Sequence, residues 1–287
     1  MPFKFQHIGV IAKPHAPRLK RTLQLLCKFL VSKRLEVYTD SNSAKVLGTD
    51  PCTYKQMAKN CELAIVVGGD GSLLHAARKM IRHDIPLVGV NLGRLGFLVD
   101  ISPDRMEESL SSILRGEYVE DRRFLLQADI GADRQLLALN DVVLHKWNIA
   151  RMIEFETSIN GKFVDSQRSD GIIVSTPTGS TAYALSGGGP LLEPSLDAIV
   201  LVPICPHRLS NRPIVVHGSS EISIDTCGRT DPSHVRVTCD GQACEQLNPG
   251  GKLVIRKYHK SIRLFHPQNH DHFDLLRAKL GWGGHLK

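Results

Sequence analysis

The chain has 287 residues, 42% of them hydrophobic and 23% charged, a balance that excludes a disordered chain, a collagen-like chain and a disulfide-dense miniprotein. At about 150 residues per domain there is room for two domains, each large enough to bury a core. Lys and Arg number 36 against 29 Asp and Glu, a net charge of +7; this suits polyanions or phosphorylated small molecules, and the absence of a long basic tail argues against nucleic acid.

The first third alternates strand and helix patterns. His7–Ala12 reads as a strand and Lys13–Pro17 as a loop. Arg18–Lys33 carries Leu19, Leu23, Leu26, Cys27 and Leu30 at helical spacing. Then come a strand at Leu35–Tyr38, a short helix at Thr53–Asn60 and a strand at Glu62–Val67 that stops at Gly68-Gly69. A helix follows at Ser72–Arg82, a strand at Pro86–Val90, and a helix at Pro103–Arg115 opened by Ser102 and closed by Gly116. This alternation implies an open parallel sheet with helices on both faces.

Beyond Tyr118 the period shortens to two. The expected strands are Phe124–Ile130, Leu136–Lys146, Met152–Ile159, Lys162–Ser166, Gly171–Ser175, Ala198–Val202, Ile214–Val216, Ser220–Ile224, Val235–Cys239 and Lys252–Tyr258. Asn160-Gly161, Asp240-Gly241 and Pro249-Gly250 are hairpin turns by composition, and Thr178–Ser186 is the interrupting helix. A last helix, Asp271–Leu280, is expected to pack back on the first domain. The fold class is therefore an α/β N-terminal domain (1–118 plus 266–287) and a β-rich, β-sandwich-like C-terminal domain (119–265).

The longest apolar stretch, Ala198–Cys205, contains Pro203 and falls short of the about 18 residues of a membrane span. Ile8–Ala12 is too short for the apolar region of a signal peptide. Seven cysteines, an odd number without a C-x-x-C pair, read as reduced thiols in a cytoplasmic protein. Cys239 and Cys244 flank the Asp240-Gly241 turn and are read as thiols too.

Gly68-Gly69-Asp70-Gly71-Ser72 lies between an apolar strand and a helix, where backbone N–H groups and the positive helix end favour phosphate. A carboxylate in such a cradle is repelled by phosphate unless it handles a proton or a metal. Asp70 is thus either a general base for a hydroxyl attacking phosphorus or a cap of the helix. A second glycine loop, Asn91-Leu92-Gly93-Arg94-Leu95-Gly96-Phe97-Leu98, follows the next strand. A third runs from Arg168-Ser169-Asp170-Gly171 through Thr176-Pro177-Thr178-Gly179-Ser180-Thr181-Ala182-Tyr183 to Gly187-Gly188-Gly189-Pro190. Its hydroxyls suit phosphate or ribose, or else a well-capped helix. His75 and Arg151 are candidates to reach the same ligand, against a bland surface role for each. No G-x-G-x-x-G and no G-x-x-x-x-G-K-[ST] occurs, which disfavours a hydride-transfer Rossmann enzyme and a P-loop kinase. His266, His270 and His272 share a loop with Asp271, with no cysteine at zinc spacing; they read as a solvated, pH-sensitive loop.

Taken in order, Gly68–Gly71, Asn91–Leu98, Leu139-Asn140-Asp141-Val142, Ser169–Tyr183 and Asp240-Gly241-Gln242 resemble the motifs of the NAD kinase family along essentially the whole chain. The resemblance implies transfer of the γ-phosphoryl group of ATP to the 2′-hydroxyl of the adenosine ribose of NAD, giving NADP and ADP. It implies Asp70 as the base and Gly71 as a support for the dinucleotide's phosphates. Asn140 and Asp141 would hold the ribose, with Asp141 standing where the family often has Glu. Asp170 and the segment Thr181, Ala182, Tyr183, Ala184, Leu185 and Ser186 would wall the nicotinamide and adenine ends, Tyr183 offering a stacking face. Gln242 would touch the ligand from the late hairpin, and Arg168 would pair with Asp170 or a phosphate. Mg²⁺ would arrive with ATP, without a protein metal site, and the protein would be a homodimer or homotetramer. A lipid kinase and a non-catalytic dinucleotide sensor are the competing readings.

Overall fold

The computed structural model describes residues 3–13, 18–93, 95–131, 134–147, 150–228, 230–247 and 252–283. Residues 14–17 of the expected first loop, Arg94 of the second glycine loop and the Pro249-Gly250 turn lie outside the described residues. The chain divides into two compact units, Met1–Arg122 with Ile262–Lys287, and Arg123–Ser261.

In the first unit the chain runs β1 (His7–Ala12), α1 (Leu19–Ser32), β2 (Glu36–Thr39), α2 (Ser41–Leu47), α3 (Tyr54–Asn60), β3 (Leu63–Val67), α4 (Asp70–Met80), β4 (Leu87–Val90) and α5 (Met106–Leu114). The strands pair in parallel in the order β2-β1-β3-β4, with Gly9 opposite Ala64 and Val66 opposite Gly89. The helical spacing of α1 buries Leu19, Leu23, Leu26 and Leu30 against Ile8, Val10, Ile65 and Val67, with Leu110 and Leu114 of α5 in the same core. Each such leucine contributes about 1.5–3 kcal/mol by leaving water. Three boundaries differ from the sequence pattern. Helix α2, not expected, is started by Asp40, whose carboxylate accepts the Ser43 N–H at 2.8 Å. Helix α4 starts at Asp70 rather than Ser72, and the expected Pro103–Arg115 helix is a 3-10 turn over Pro103–Arg105 followed by α5.

The second unit is built from the later part of β5 (Val119–Ile130), β6 (Gln135–Ala138), β7 (Asp141–Lys146), β8 (Ile153–Ile159), β9 (Lys162–Ser169), β10 (Gly171–Ser175), α6 (Tyr183–Ser186), β11 (Ala198–Ile204), β12 (Ile214–His217), β13 (Ile222–Thr226), β14 (Val235–Cys239), β15 (Ala243–Gln246) and the first part of β16 (Lys252–His266). One sheet holds β16-β13-β8-β9 and the β5–β6 hairpin; the other runs β12-β11-β10-β7-β14-β15, antiparallel throughout. Leu126, Phe155, Ile224 and Ile255 from the first sheet share a core with Val142, Leu144, Ile172, Leu201 and Val237 from the second, which is a β-sandwich. The expected Leu136–Lys146 strand is broken into β6 and β7. The expected Thr178–Ser186 helix is a 3-10 turn, Thr178–Thr181, and the single turn α6. Strand β15 was not expected, and β16 runs 15 residues instead of ending at Tyr258.

The end of β16 returns to the first unit, Leu264 pairing in parallel with Leu87 and the Phe265 ring stacking on Tyr118 at 3.9 Å. The final helix, α7 (His272–Leu280), belongs to that unit as well and sets the Lys279 ammonium over the Phe97 ring. Among the described residues no helix is long and apolar enough to cross a membrane.

Candidate active site

In the first unit the two glycine loops are joined through one carboxylate. Gly68 donates its N–H to the Val90 carbonyl at 2.9 Å, so the loops leave adjacent strand ends side by side. Asp70 then accepts the N–H of Phe97 on Oδ2 at 2.9 Å and those of Leu98 and Val99 on Oδ1 at 3.0 and 3.2 Å. The second loop is closed by its own bonds: Asn91 N–H to the Ile101 carbonyl at 2.8 Å, and the Asn91 side chain accepting the Gly93 N–H at 2.7 Å. Gly96 is glycine for a steric reason, because a Cβ there would collide with the Asp70 carboxylate. Asp70 is the first residue of α4 rather than its cap, since Gly69 occupies the cap position and the carboxylate faces the neighbouring loop. His75 is exposed beside the Tyr54 ring, 6.4 Å away; partial burial, then Arg78 and Lys79, lower its pKa.

In the second unit a cavity of about 490 Å³ is lined by Asn140, Asp141, His145, Lys146, Asp170, Ala182, Tyr183, Thr238, Asp240 and Gly241 among others. Its floor follows from the β14–β15 turn. Asp240 and Gly241 both take positive φ, 53° and 61°, a turn in which glycine avoids the strain of a side chain. The Asp240 carboxylate then reaches the N–H groups of Asn140 at 2.7 Å, Leu139 at 3.2 Å and Asp141 at 3.4 Å. That side chain takes the place of a ladder partner, which is why the expected long strand stops at Ala138 and resumes at Asp141. Burial, reinforced by the Asp240 charge, pushes the Asp141 carboxyl up to about 7. Gly171 pairs with His145, which brings Asp170 and Lys146 together; their Nζ···Oδ1 distance is 2.7 Å.

Comparison with known proteins identifies the family. Residues 8–118 match the profile of the ATP-NAD kinase N-terminal domain, and residues 139–266 that of the ATP-NAD kinase C-terminal domain. The chain is 47% identical over 290 residues to an NAD kinase of Pseudomonas putida (strain GB-1), covering 99% of this chain and 98% of that protein. It is 48% identical over 289 residues to an NAD kinase of Chromohalobacter salexigens, covering 98% of each. The chain belongs to the NAD kinase family. It is a kinase that phosphorylates NAD to NADP with ATP. Among solved structures, an NAD kinase from Archaeoglobus fulgidus in complex with ATP superimposes with a TM-score of 0.78 at 29% identity, over 97% of this chain and 100% of that one. Yeast NADH kinase complexed with NADH shares the fold, with a TM-score of 0.86 at 23% identity over 98% of this chain and 89% of that one.

Within this NAD kinase chain the structure sorts the expected site residues. Asn140, Asp141, Asp170, Ala182 and Tyr183 line the cavity, and Tyr183 is 46% exposed. Ala184 does not: it is fully buried among Val143, Ile173, Val200 and Val202. Leu185 is half-buried, Ser186 is exposed, and the Thr181 hydroxyl donates to the Thr178 carbonyl. Several hydroxyls of the loop are spent on backbone carbonyls of the loop and of the β6–β7 break. Thr176 Oγ1 donates to the Leu139 carbonyl at 2.6 Å, Ser175 Oγ to the Asn140 carbonyl at 3.1 Å, and Ser180 Oγ to the Pro177 carbonyl at 2.7 Å. Arg168 is not the partner of Asp170. It faces Glu154 across the β8–β9 ladder at 3.8 Å, and Lys146 takes the place expected for it. Gln242 is exposed on the turn beyond the cavity lining, and Arg151 is exposed just before β8. Lys146 and the structural part of Asp240 escaped the sequence reading; the signal for both was a charged residue ending an apolar strand. The seven cysteines are free, Cys239 buried and Cys244 exposed.

The expected solvated histidine loop is also corrected. His266 is 2% exposed and His270 is buried at its side-chain surface, both against Asp100, while His272 sits apart at the start of α7.

Proposed function

We propose that Asp70 takes the proton of the adenosine-ribose 2′-hydroxyl of NAD as that oxygen attacks the γ-phosphorus of ATP. The new bond joins the 2′-oxygen to the γ-phosphorus, the bond from that phosphorus to the β,γ-bridging oxygen breaks, and ADP leaves with the electron pair. One observation carries the reading. A carboxylate offers about four acceptor positions; among the described residues Asp70 spends two on Oδ1 and one on Oδ2, keeping an acceptor position on Oδ2 while three N–H groups hold its plane. Such transfer is mostly positioning and charge stabilisation, and the positive end of α4 beside Gly71 favours the phosphates.

The cavity of the second unit supports the dinucleotide roles of Asn140 and Asp141 toward ribose hydroxyls, of Asp170 with Lys146 toward polar edges, and of Tyr183 toward a ring. A divalent cation, Mg²⁺ in this reading, would arrive with ATP and supply charge screening of its β and γ oxygens. Its ligands would include the nucleotide's own phosphate oxygens. The free cysteines support a reducing, cytoplasmic setting. A homodimer or homotetramer is supported by the exposed apolar side chains of β9 and β12, both at sheet edges: Phe163, Val164, Ile214 and Val215.

The test is NADP formation from MgATP and NAD, read with an NADP-specific dehydrogenase, for the natural chain and Asp70→Asn. Loss of kcat by at least about 100-fold in the variant is expected for a general base. Wild-type turnover in Asp70→Asn would remove Asp70 from that role, and turnover of a diacylglycerol or sphingoid acceptor in place of NAD would revive the lipid-kinase reading.

A further inference from the structure

Immediately after the second glycine loop in the chain lies a buried cluster, centred on Asp100, that the reaction as described does not use. The Asp100 side chain is 9% exposed, and its Oδ2 lies 2.9 Å from His266 Nδ1 and 2.7 Å from His270 Nδ1. The two imidazoles stack at 3.9 Å with 20° between their planes. His266 is the last residue of β16, and His270 sits in the turn before α7, closed by its own N–H to the Pro267 carbonyl at 2.9 Å. The far side of His266 faces Asp121, Nε2 to Oδ2 at 3.9 Å.

Three ligand atoms within 4.8 Å of one another resemble a metal site. The ring geometry excludes one ion bound to both histidines. An imidazole donates its lone pair in the ring plane, and two planes 20° apart at this separation meet far beyond the about 2.0–2.1 Å of a metal–nitrogen bond. The arrangement is instead one carboxylate oxygen accepting an N–H from Nδ1 of each imidazole. Burial alone would raise the Asp100 carboxyl; the hydrogen bonds and charges of the two histidines outweigh it and bring it to about 2, so the group is an anion.

The position in the chain gives this clamp a job. Asp100 directly follows Phe97, Leu98 and Val99, the three residues whose N–H groups hold the Asp70 carboxylate. One peptide unit separates the clamped side chain from the Val99 N–H. We propose that Asp100, gripped by His266 and His270, is a positioning residue for phosphoryl transfer: it pins the Phe97–Val99 segment and thereby sets the orientation of Asp70 toward the attacking hydroxyl. The proposal rests on the reading of Asp70 as the base. It makes the C-terminal segment of the chain, remote in sequence from Asp70, part of what orients that carboxylate.

The test uses the full chain with His270→Phe, which keeps a ring for the stack on His266 but loses the Nδ1 donor, and His270→Asn, whose amide restores a donor near that place. Expected for His270→Phe is a fall in kcat of about tenfold or more, with KM for NAD and for ATP within about twofold, and recovery of most of the kcat in His270→Asn. Hydrogen exchange of the peptide spanning 95–101 should quicken in His270→Phe while peptides from β3 exchange as before. Faster exchange throughout the first unit, or a lower melting temperature with kcat unchanged, would reduce the cluster to a structural brace and overturn the proposal. A silent His270→Phe beside an inactive Asp70→Asn overturns the positioning role alone. An active Asp70→Asn overturns the base assignment and the proposal with it.

Discussion

Asp70 and Asp141 are both carboxylates beside a predicted ligand, yet their surroundings set them to different tasks. Asp70 is half-buried and its charge is met by three backbone N–H groups. Asp141 is 4% exposed, lies near the Asp240 charge, and is pushed up to about 7 by burial first and that charge second. The sign of the consequence follows from linkage: a carboxyl whose folded value exceeds its ordinary 3.8 stabilises the fold below about pH 4, and that contribution is lost as pH rises through about 7. Asp141→Asn cannot ionise, so its stability relative to the natural chain should rise between pH 4.5 and pH 8, by of order 1–4 kcal/mol. Urea unfolding at a series of pH values measures this; a gap that does not change with pH would show that Asp141 carries no raised value. At this scale the identity of Asp70 was legible, because a carboxylate between glycines after an apolar strand is an anomaly in a phosphate cradle. Its three N–H partners were not legible, since nothing in a local pattern points from residue 70 to residues 97–99.

The elements show where local pattern stops working. The run from Leu136 to Lys146 alternates like one strand, and it is two, because Asp240 supplies the acceptor at the break. The Thr178–Ser186 segment has helical composition, but the Ser180 hydroxyl bonds to the Pro177 and Leu192 carbonyls and that of Thr181 to the Thr178 carbonyl, which holds it to a 3-10 turn and a single α turn. Asp240→Ala should therefore unmake a turn between elements rather than a contact. Three N–H groups at Leu139, Asn140 and Asp141 lose their acceptor, a destabilisation of about 2–4 kcal/mol, partly offset by relief of Asp141. The measurements are urea unfolding and the KM for NAD, which should rise more than kcat falls if the cavity floor is what the turn supports. The converse case is α1, where five apolar positions at helical spacing predicted the helix and the structure buries four of those leucines. Local spacing sufficed there because the helix packs one continuous stripe on the sheet.

At the scale of the whole molecule, two exposed sheet edges carry apolar side chains, with Phe163 64% exposed on β9 and Val215 48% exposed on β12. A homo-oligomer that covers them is expected to show a dimer or tetramer mass in light scattering at micromolar concentration, and Phe163→Glu with Val215→Lys should shift it toward monomer. A monomer in the natural chain would count against the assembly. The α/β-then-β order, the glycine loops and the membership of the NAD kinase family all follow from sequence, because each is a repeating or contiguous pattern whose cause lies within a few residues: helical or alternating burial, a positive φ, a helix start. Only the tertiary structure decided that Asp70 is held by a loop nearly thirty residues on. It alone decided that Lys146 rather than Arg168 meets Asp170, and that the histidines near the C-terminus are buried on Asp100 instead of facing solvent. Those are pairings between polar groups far apart in the chain, and they are chosen by which strand ends the sheets bring together, a choice that no periodicity records.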